Sequence, residues 1–211
     1  GALREGVMYD MLGRFASEDV RDRSVLALIK RYSGDKKQAK QVVKTSLNLF
    51  EQVKAKLALN SEDGDLLRRA ASLHEIGLAI AHSSYHKHSA YLIEYSDIPG
   101  FSQVDQKRMA QLMLNHRRKL KSDMLEQTCT IGGDSLVYLC LLLRLAVLAH
   151  HSRSDHELPE LELKVIDDNR WQITVGESSE HYAFLLSDLH TEVEQFAKWG
   201  VKLSVVEAKC D

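Results

Sequence analysis

The chain has 211 residues, with 28 Lys and Arg against 30 Asp and Glu for a formal charge of −2, and only 2 Pro and 11 Gly. This length and apolar content can bury a real core, as one large domain or a medium one plus a small one, and exclude a disordered, collagenous or disulfide-stapled chain. A dedicated DNA-binding domain usually carries a clear basic excess, so the balance argues against DNA and requires any anion site to be local.

So few helix breakers permit long helices. The opening Gly1-Ala2-Leu3-Arg4 has no initiator Met and no basic region followed by an apolar run, so no secretory signal is expected and Gly1 reads as a cleavage scar. Ser17, Glu18 and Asp19 read as a helix start, and Val25, Leu28, Ile29 and Tyr32 follow at helical spacing until Gly34. Asp35 to Gln38 resembles a capping box, after which Val42, Val43, Leu47, Phe50, Val53 and Leu57 hold one face of a long amphipathic helix. A polar loop from Asn60 to Asp65 precedes a helix buried on most sides, Leu66 to Ala81, with His74 inside it. A shorter helix runs from about His86 to Tyr95 and breaks at Pro99-Gly100. Ser102 caps another, with Met109, Leu112, Met113 and His116 on one face. Lys121 to Gly133 is expected to be a loop, and Asp134 to about His151 a core helix. The apolar stretch Leu136–Ala149 is too short and, with Arg144, too polar to span a membrane, which takes about 20 residues.

Composition changes near Ser152, where Ser152 to Pro159 reads as a linker. Beyond it Leu161, Leu163 and Val165 alternate with charges, as do Trp171, Ile173 and Val175 after a turn at Asp167–Asn169, which predicts a β-hairpin. Tyr182 to Ala197 returns to helical spacing, and Val201, Leu203 and Val205 make a third strand. The expected architecture is mostly α, an all-helical domain over residues 1–152 followed by a small α+β domain, ββαβ, over 153–211. Cys129, Cys140 and Cys210 are widely spaced and form no CxxC pair, which suits a reducing compartment rather than a disulfide framework or zinc knuckle.

Three constellations could carry chemistry. Leu73-His74-Glu75-Ile76-Gly77 resembles the His-Asp signature of HD-type metal phosphohydrolases, in which bound water becomes the nucleophile. Carried over position by position, the early His falls at Gln38, the central pair at His74-Glu75 and the late Asp near Val147. Only one of the four positions keeps its residue, so the expectation is an HD-like helical domain with a degenerate metal site and no bound metal. Next, His82 to Ser89 places His86, Lys87 and His88 at a loop-to-helix junction, where their donors and free backbone N–H groups suit phosphate. A metal at His86 and His88 is the rival, although i and i+2 diverge by about 200° in a helix, and an exposed or structural cluster is the bland alternative. Last, His116-Arg117-Arg118-Lys119-Leu120-Lys121 is the one strongly cationic run. It is either a solvated helix end or, with Lys36, Lys37, Lys40 and Lys44, the lining of a polyanion track. No P-loop, GxSxG or HExxH motif occurs.

Taken together, Ala2 to Tyr9, Arg14-Phe15 with Asp19-Val20-Arg21, Leu73 to Gly77, His86 to Tyr91, Asp97 to Phe101, His116-Arg117 and Leu142 to Ala146 resemble the C-terminal half of bacterial exopolyphosphatases and the related guanosine pentaphosphate phosphatases. The resemblance implies that catalysis, with magnesium and an acidic base, belongs to two N-terminal actin-like domains absent from this chain, so the chain alone is expected to be inactive and to carry no cofactor. It further implies binding of inorganic polyphosphate, or alternatively guanosine pentaphosphate, in a basic channel, together with homodimerisation. The phosphate-binding candidates are His86, Lys87, His88, His116, Arg117, Arg118, Lys119 and Lys121. A purely structural dimerisation module and a residual HD hydrolase are the competing readings. The expected location is the cytoplasm, or the periphery of the inner membrane.

Overall fold

A computed structural model describes residues 20–32, 34–153, 157–176, 182 and 184–208. The helix start expected at Ser17, the Ala2 to Tyr9 element and Cys210 lie outside the described residues. In chain order the elements are α1 (residues 20–31), α2 (Lys36–Val53), α3 (Ser61–Leu73), a short 3-10 turn (Ile76–Ala79), α4 (Tyr85–Tyr95), α5 (Gln103–Asn115), α6 (Ser122–Ala149), β1 (Leu161–Asp167), β2 (Arg170–Val175), α7 (Leu185–Lys198) and β3 (Lys202–Glu207). The chain is therefore mostly helical and closes with a ββαβ unit, as the hydrophobic periodicities predict.

Local chemistry sets the helix starts. The Asp35 carboxylate accepts from the backbone N–H groups of Lys37 and Gln38, satisfying two otherwise unpaired donors of α2. Asn60 and Asp63 make a reciprocal capping box for α3.

Asn60 to Asp65 is not a loop, because α3 begins at Ser61 on the Asn60–Asp63 box, and α2 ends at Val53, short of Leu57. Two further boundaries also differ from expectation. α3 stops at Leu73, so His74 is its C-cap rather than an interior residue. The cause is tertiary: the Ser89 hydroxyl on α4 accepts from Gly77 N–H and donates to the His74 carbonyl, at 2.9 and 3.1 Å. A Cβ on Gly77 would lie 2.1 Å from the Tyr85 carbonyl oxygen, so only glycine lets the turn pack this closely on α4. The second correction is that Lys121 to Gly133 is not a loop. From Ser122 the chain is helical up to Gly133, whose φ of 67° breaks the line before the core half of α6.

As a whole, α6 is long and apolar enough to cross a membrane by length and composition. Its apolar side chains are instead spent within the protein: Leu136, Leu139, Cys140, Leu141, Leu142, Leu143, Leu145 and Ala146 are all buried in the shared core. Arg144, in the same stretch, is paired with Glu192 of α7.

In the sheet, β2 pairs antiparallel with β1 and parallel with β3, and α7 makes the crossover between β2 and β3. Trp171, Ile173 and Val175 point from the central strand into the core. Phe196 of α7 and Tyr138 of α6 bring their rings to 6.1 and 5.8 Å from Trp171, so the sheet is sealed by its own helix and by α6.

Candidate cationic cleft

α3 and α5 end on the same side of the protein. Beyond those ends lies a cleft of about 380 Å³, into which α2, the 3-10 turn, α4, α6 and α7 also send side chains. Four arginines line it, Arg117, Arg118, Arg144 and Arg153, against two carboxylates, Glu75 and Glu192. A hollow of similar size at the opposite ends of α3 and α5 has Arg21, Arg69 and Arg108 balanced by Glu62, Asp65 and Asp105. Only the first therefore carries a cationic surplus.

The four guanidiniums do different jobs. Arg144 is 3% exposed; it donates to Glu192 at 2.5 Å and to the carbonyls of Asn115 and Arg118 at 2.8 and 2.9 Å. It thus holds the turn that follows α5. The same segment is pinned twice more by α7, where the Gln195 amide oxygen accepts from Leu120 N–H and the Trp199 indole donates to the Lys121 carbonyl. Arg153 bridges Asp35 and Glu75 at 3.0 and 2.5 Å, joining the cap of α2 to the 3-10 turn. The Asp35 carboxyl is held below its ordinary range, first by the Gln38 N–H and then, after an opposing burial effect, by Lys37 N–H and Arg153. Arg117 and Arg118 form no ion pair among the described residues; Arg117 stacks on Tyr85, 4.3 Å from the ring centroid. Arg118 has a left-handed φ of 68° and Arg153 one of 51°, so two of the four strained non-glycine residues described line this cleft.

Behind the arginines sits a group of buried rings. His116 lies 5.6 Å from His74, 5.7 Å from Tyr85 and 6.4 Å from His86. Burial drives the His116 pKa well below 6.5, with the neighbouring His74 adding to the effect, and burial lowers that of His74 too. The His86 pKa falls to about 4, from burial first and then the charges of Arg117, Lys87 and Arg118. All three are neutral at pH 7.

Of the phosphate-binding candidates, the cleft gathers His116, Arg117 and Arg118. His86 turns inward, 5% exposed, toward the His116 ring. Lys87, His88, Lys119 and Lys121 are not among the lining residues; Lys87, Lys119 and Lys121 are exposed and His88 half-buried. Sequence reasoning missed Tyr85, Arg144 and Arg153 as site residues. A lone cation within an apolar run was the available signal for Arg144; the linker gave none for Arg153.

The four HD-like positions do converge: Gln38, Glu75 and Val147 line the cleft, and His74 lies behind Glu75. Their surroundings do not suit a metal. The Gln38 side chain is held by its amide on the His150 carbonyl, one Glu75 oxygen takes Arg153, and Val147 offers no ligand atom, so only His74 Nε2 and the second Glu75 oxygen are left without a partner. With the Arg153 guanidinium seated on the one carboxylate, this set does not fit a divalent cation.

Comparison with known proteins gives the family. Residues 20–193 match the family model described as Ppx/GppA phosphatase, domain III. The chain is 38% identical over 208 residues, 97% of its length, to the guanosine-5′-triphosphate,3′-diphosphate pyrophosphatase of Pseudoalteromonas translucida. It is 36% identical over 211 residues to the protein of the same name in Aeromonas hydrophila, and 34% identical to that of Aeromonas salmonicida. The match covers 41 to 42% of the length of these relatives. The chain belongs to the Ppx/GppA phosphatase family, of which it carries domain III.

Proposed function

We propose that this chain is the C-terminal region of a guanosine-pentaphosphate-type phosphatase and that its cleft holds the phosphate chain of the substrate. The observation that carries the reading is the pair Arg117 and Arg118, two guanidiniums without carboxylate partners at the mouth of a cleft with a cationic surplus. Guanidinium forks grip individual phosphates, and a turn clamped by Arg144 of α6 and by Gln195 of α7 holds them in place before the ligand arrives. Hydrolysis, and the magnesium it uses, belongs in this reading to the rest of the longer protein. The names of the relatives favour guanosine pentaphosphate over inorganic polyphosphate, the substrate first expected from the cationic run.

Titration of the protein with guanosine pentaphosphate at a series of salt concentrations tests this. Affinity falls steeply with salt, and replacing both Arg117 and Arg118 by Ala flattens the dependence by roughly one logarithmic unit per arginine lost. No binding at low salt, or an unchanged slope in the double variant, removes the reading. Homodimerisation is part of the same proposal and is checked by light scattering. A monomer at micromolar concentration excludes it for this chain.

A further inference from the structure

Arg153 lines the same cleft as Arg117, Arg118 and Arg144 but is held differently. Arg144 is buried on three acceptors, and Arg117 and Arg118 form no ion pair among the described residues. The Arg153 side chain is 47% exposed and rests on two carboxylates of unequal character. Its Nη2 donates to Glu75, whose side chain is 10% exposed, so breaking that arm would strand a buried charge. Its Nη1 donates to Asp35 at 3.0 Å, and Asp35 is itself 47% exposed, so that arm is a solvated surface pair of small worth. The two functions of Asp35 are also separate: Oδ1 accepts from the Lys37 and Gln38 N–H groups that start α2, while Arg153 sits on Oδ2. Water can replace Arg153 there without disturbing the helix cap.

The backbone agrees with a residue held in place by its side chain. Arg153 has φ 51°, in the left-handed region, with its N–H on the His150 carbonyl in the turn after α6. A residue with a side chain persists there only where its surroundings hold it, and such positions gather at sites that switch. A guanidinium carries five N–H donors in a planar fork, so it can keep one carboxylate and turn other donors to a phosphate. We infer that Arg153 is a third phosphate-binding arginine of the cleft, held back in the free protein by an autoinhibitory contact with Asp35. An arriving phosphate chain draws Nη1 from Asp35 Oδ2, and Nη2 stays on Glu75. No covalent bond changes and no proton moves; a single carboxylate is exchanged for a partner of higher charge. The inference rests on the reading of the cleft as a phosphate site and adds a contact that limits its affinity.

The test is a double-mutant cycle read by calorimetric titration with guanosine pentaphosphate, at low salt and without divalent ions. It compares the wild type, Asp35→Asn, Arg153→Ala and the double variant. Asparagine keeps a side-chain oxygen for the helix cap, so α2 retains its start. Asp35→Asn tightens binding about twofold to fivefold, and Arg153→Ala weakens it about tenfold. In the Arg153→Ala background Asp35→Asn changes nothing, because no guanidinium is left to release. Circular dichroism checks that the variants fold, and Arg153→Gln takes the place of Arg153→Ala if the latter does not. A gain of equal size without Arg153 is the general effect of removing a carboxylate near an anion site, and overturns the inference. So does the absence of any gain from Asp35→Asn, or an Arg153 variant that binds as tightly as the wild type. Failure of the wild type to bind removes the phosphate reading itself, and the inference with it.

Discussion

Replacing Glu192 by Ala isolates the contact by which α7 organises the cationic turn. In the intact protein the Glu192 carboxylate sits 2.5 Å from the Arg144 guanidinium, with side chains 9% and 3% exposed, so solvent screens the pair little. Removing one partner of such a pair leaves a buried charge that keeps only its two carbonyl acceptors, and this costs about 3–5 kcal/mol. Combining Arg144→Met with Glu192→Ala leaves no buried charge and costs clearly less than the sum of the two single variants, because each single variant counts the same lost pair. Urea unfolding of the wild type, the two single variants and the double variant supplies the cycle. A second readout follows from geometry: the Asn115 and Arg118 carbonyls are held by Arg144, so Glu192→Ala also weakens guanosine pentaphosphate binding. Destabilisation below about 1 kcal/mol for Glu192→Ala, or strict additivity in the cycle, would refute the buried clamp.

Other consequences are as direct. Gly77→Ala drives a Cβ to 2.1 Å from the Tyr85 carbonyl oxygen and 2.5 Å from Ser89 N, and costs about 3 kcal/mol in a thermal melt. Gly133→Ala meets nothing within 4 Å and costs only backbone strain, about 1–3 kcal/mol, because φ 67° with ψ −166° is a region that essentially only glycine adopts; a larger loss at Gly133 than at Gly77 would contradict this account of the packing. Burial holds His86 and His150 near pKa 4, below the unfolded value near 6.5. The unfolded chain therefore binds more protons between these values, so stability is full above about pH 6.5 and is lost as pH falls toward 4. Urea midpoints that stay level from pH 7.5 to 5 would show the opposite.

The fold was legible where a single periodicity decides burial. Val42, Phe50 and Val53 announce α2, and Trp171, Ile173 and Val175 announce the central strand, because each set occupies one face of its element. Boundaries set by partners distant in sequence were not. Nothing near His74 tells that Ser89 will take the Gly77 N–H, and the polar run before Gly133 is helical with only a few apolar residues to show it. The site divides in the same way. The run His116-Arg117-Arg118 is visible as charge, whereas the roles of Arg144 and Arg153 depend on Glu192, Asp35 and Glu75 arriving from other elements. Local charge alone also does not tell that Lys87, Lys119 and Lys121 lie outside the cleft lining, since it does not show which way an exposed side chain faces.

The central claim is that the cleft at the C-terminal ends of α3 and α5 receives the phosphate ligand. Backbone and side-chain NMR of the protein titrated with guanosine pentaphosphate locates the ligand without assuming where it goes. The account predicts shifts concentrated at Leu78, His116, Arg117, Arg118, Val147 and Arg153. Shifts centred instead on Arg21, Arg69 and Arg108, at the far ends of the same two helices, would contradict it.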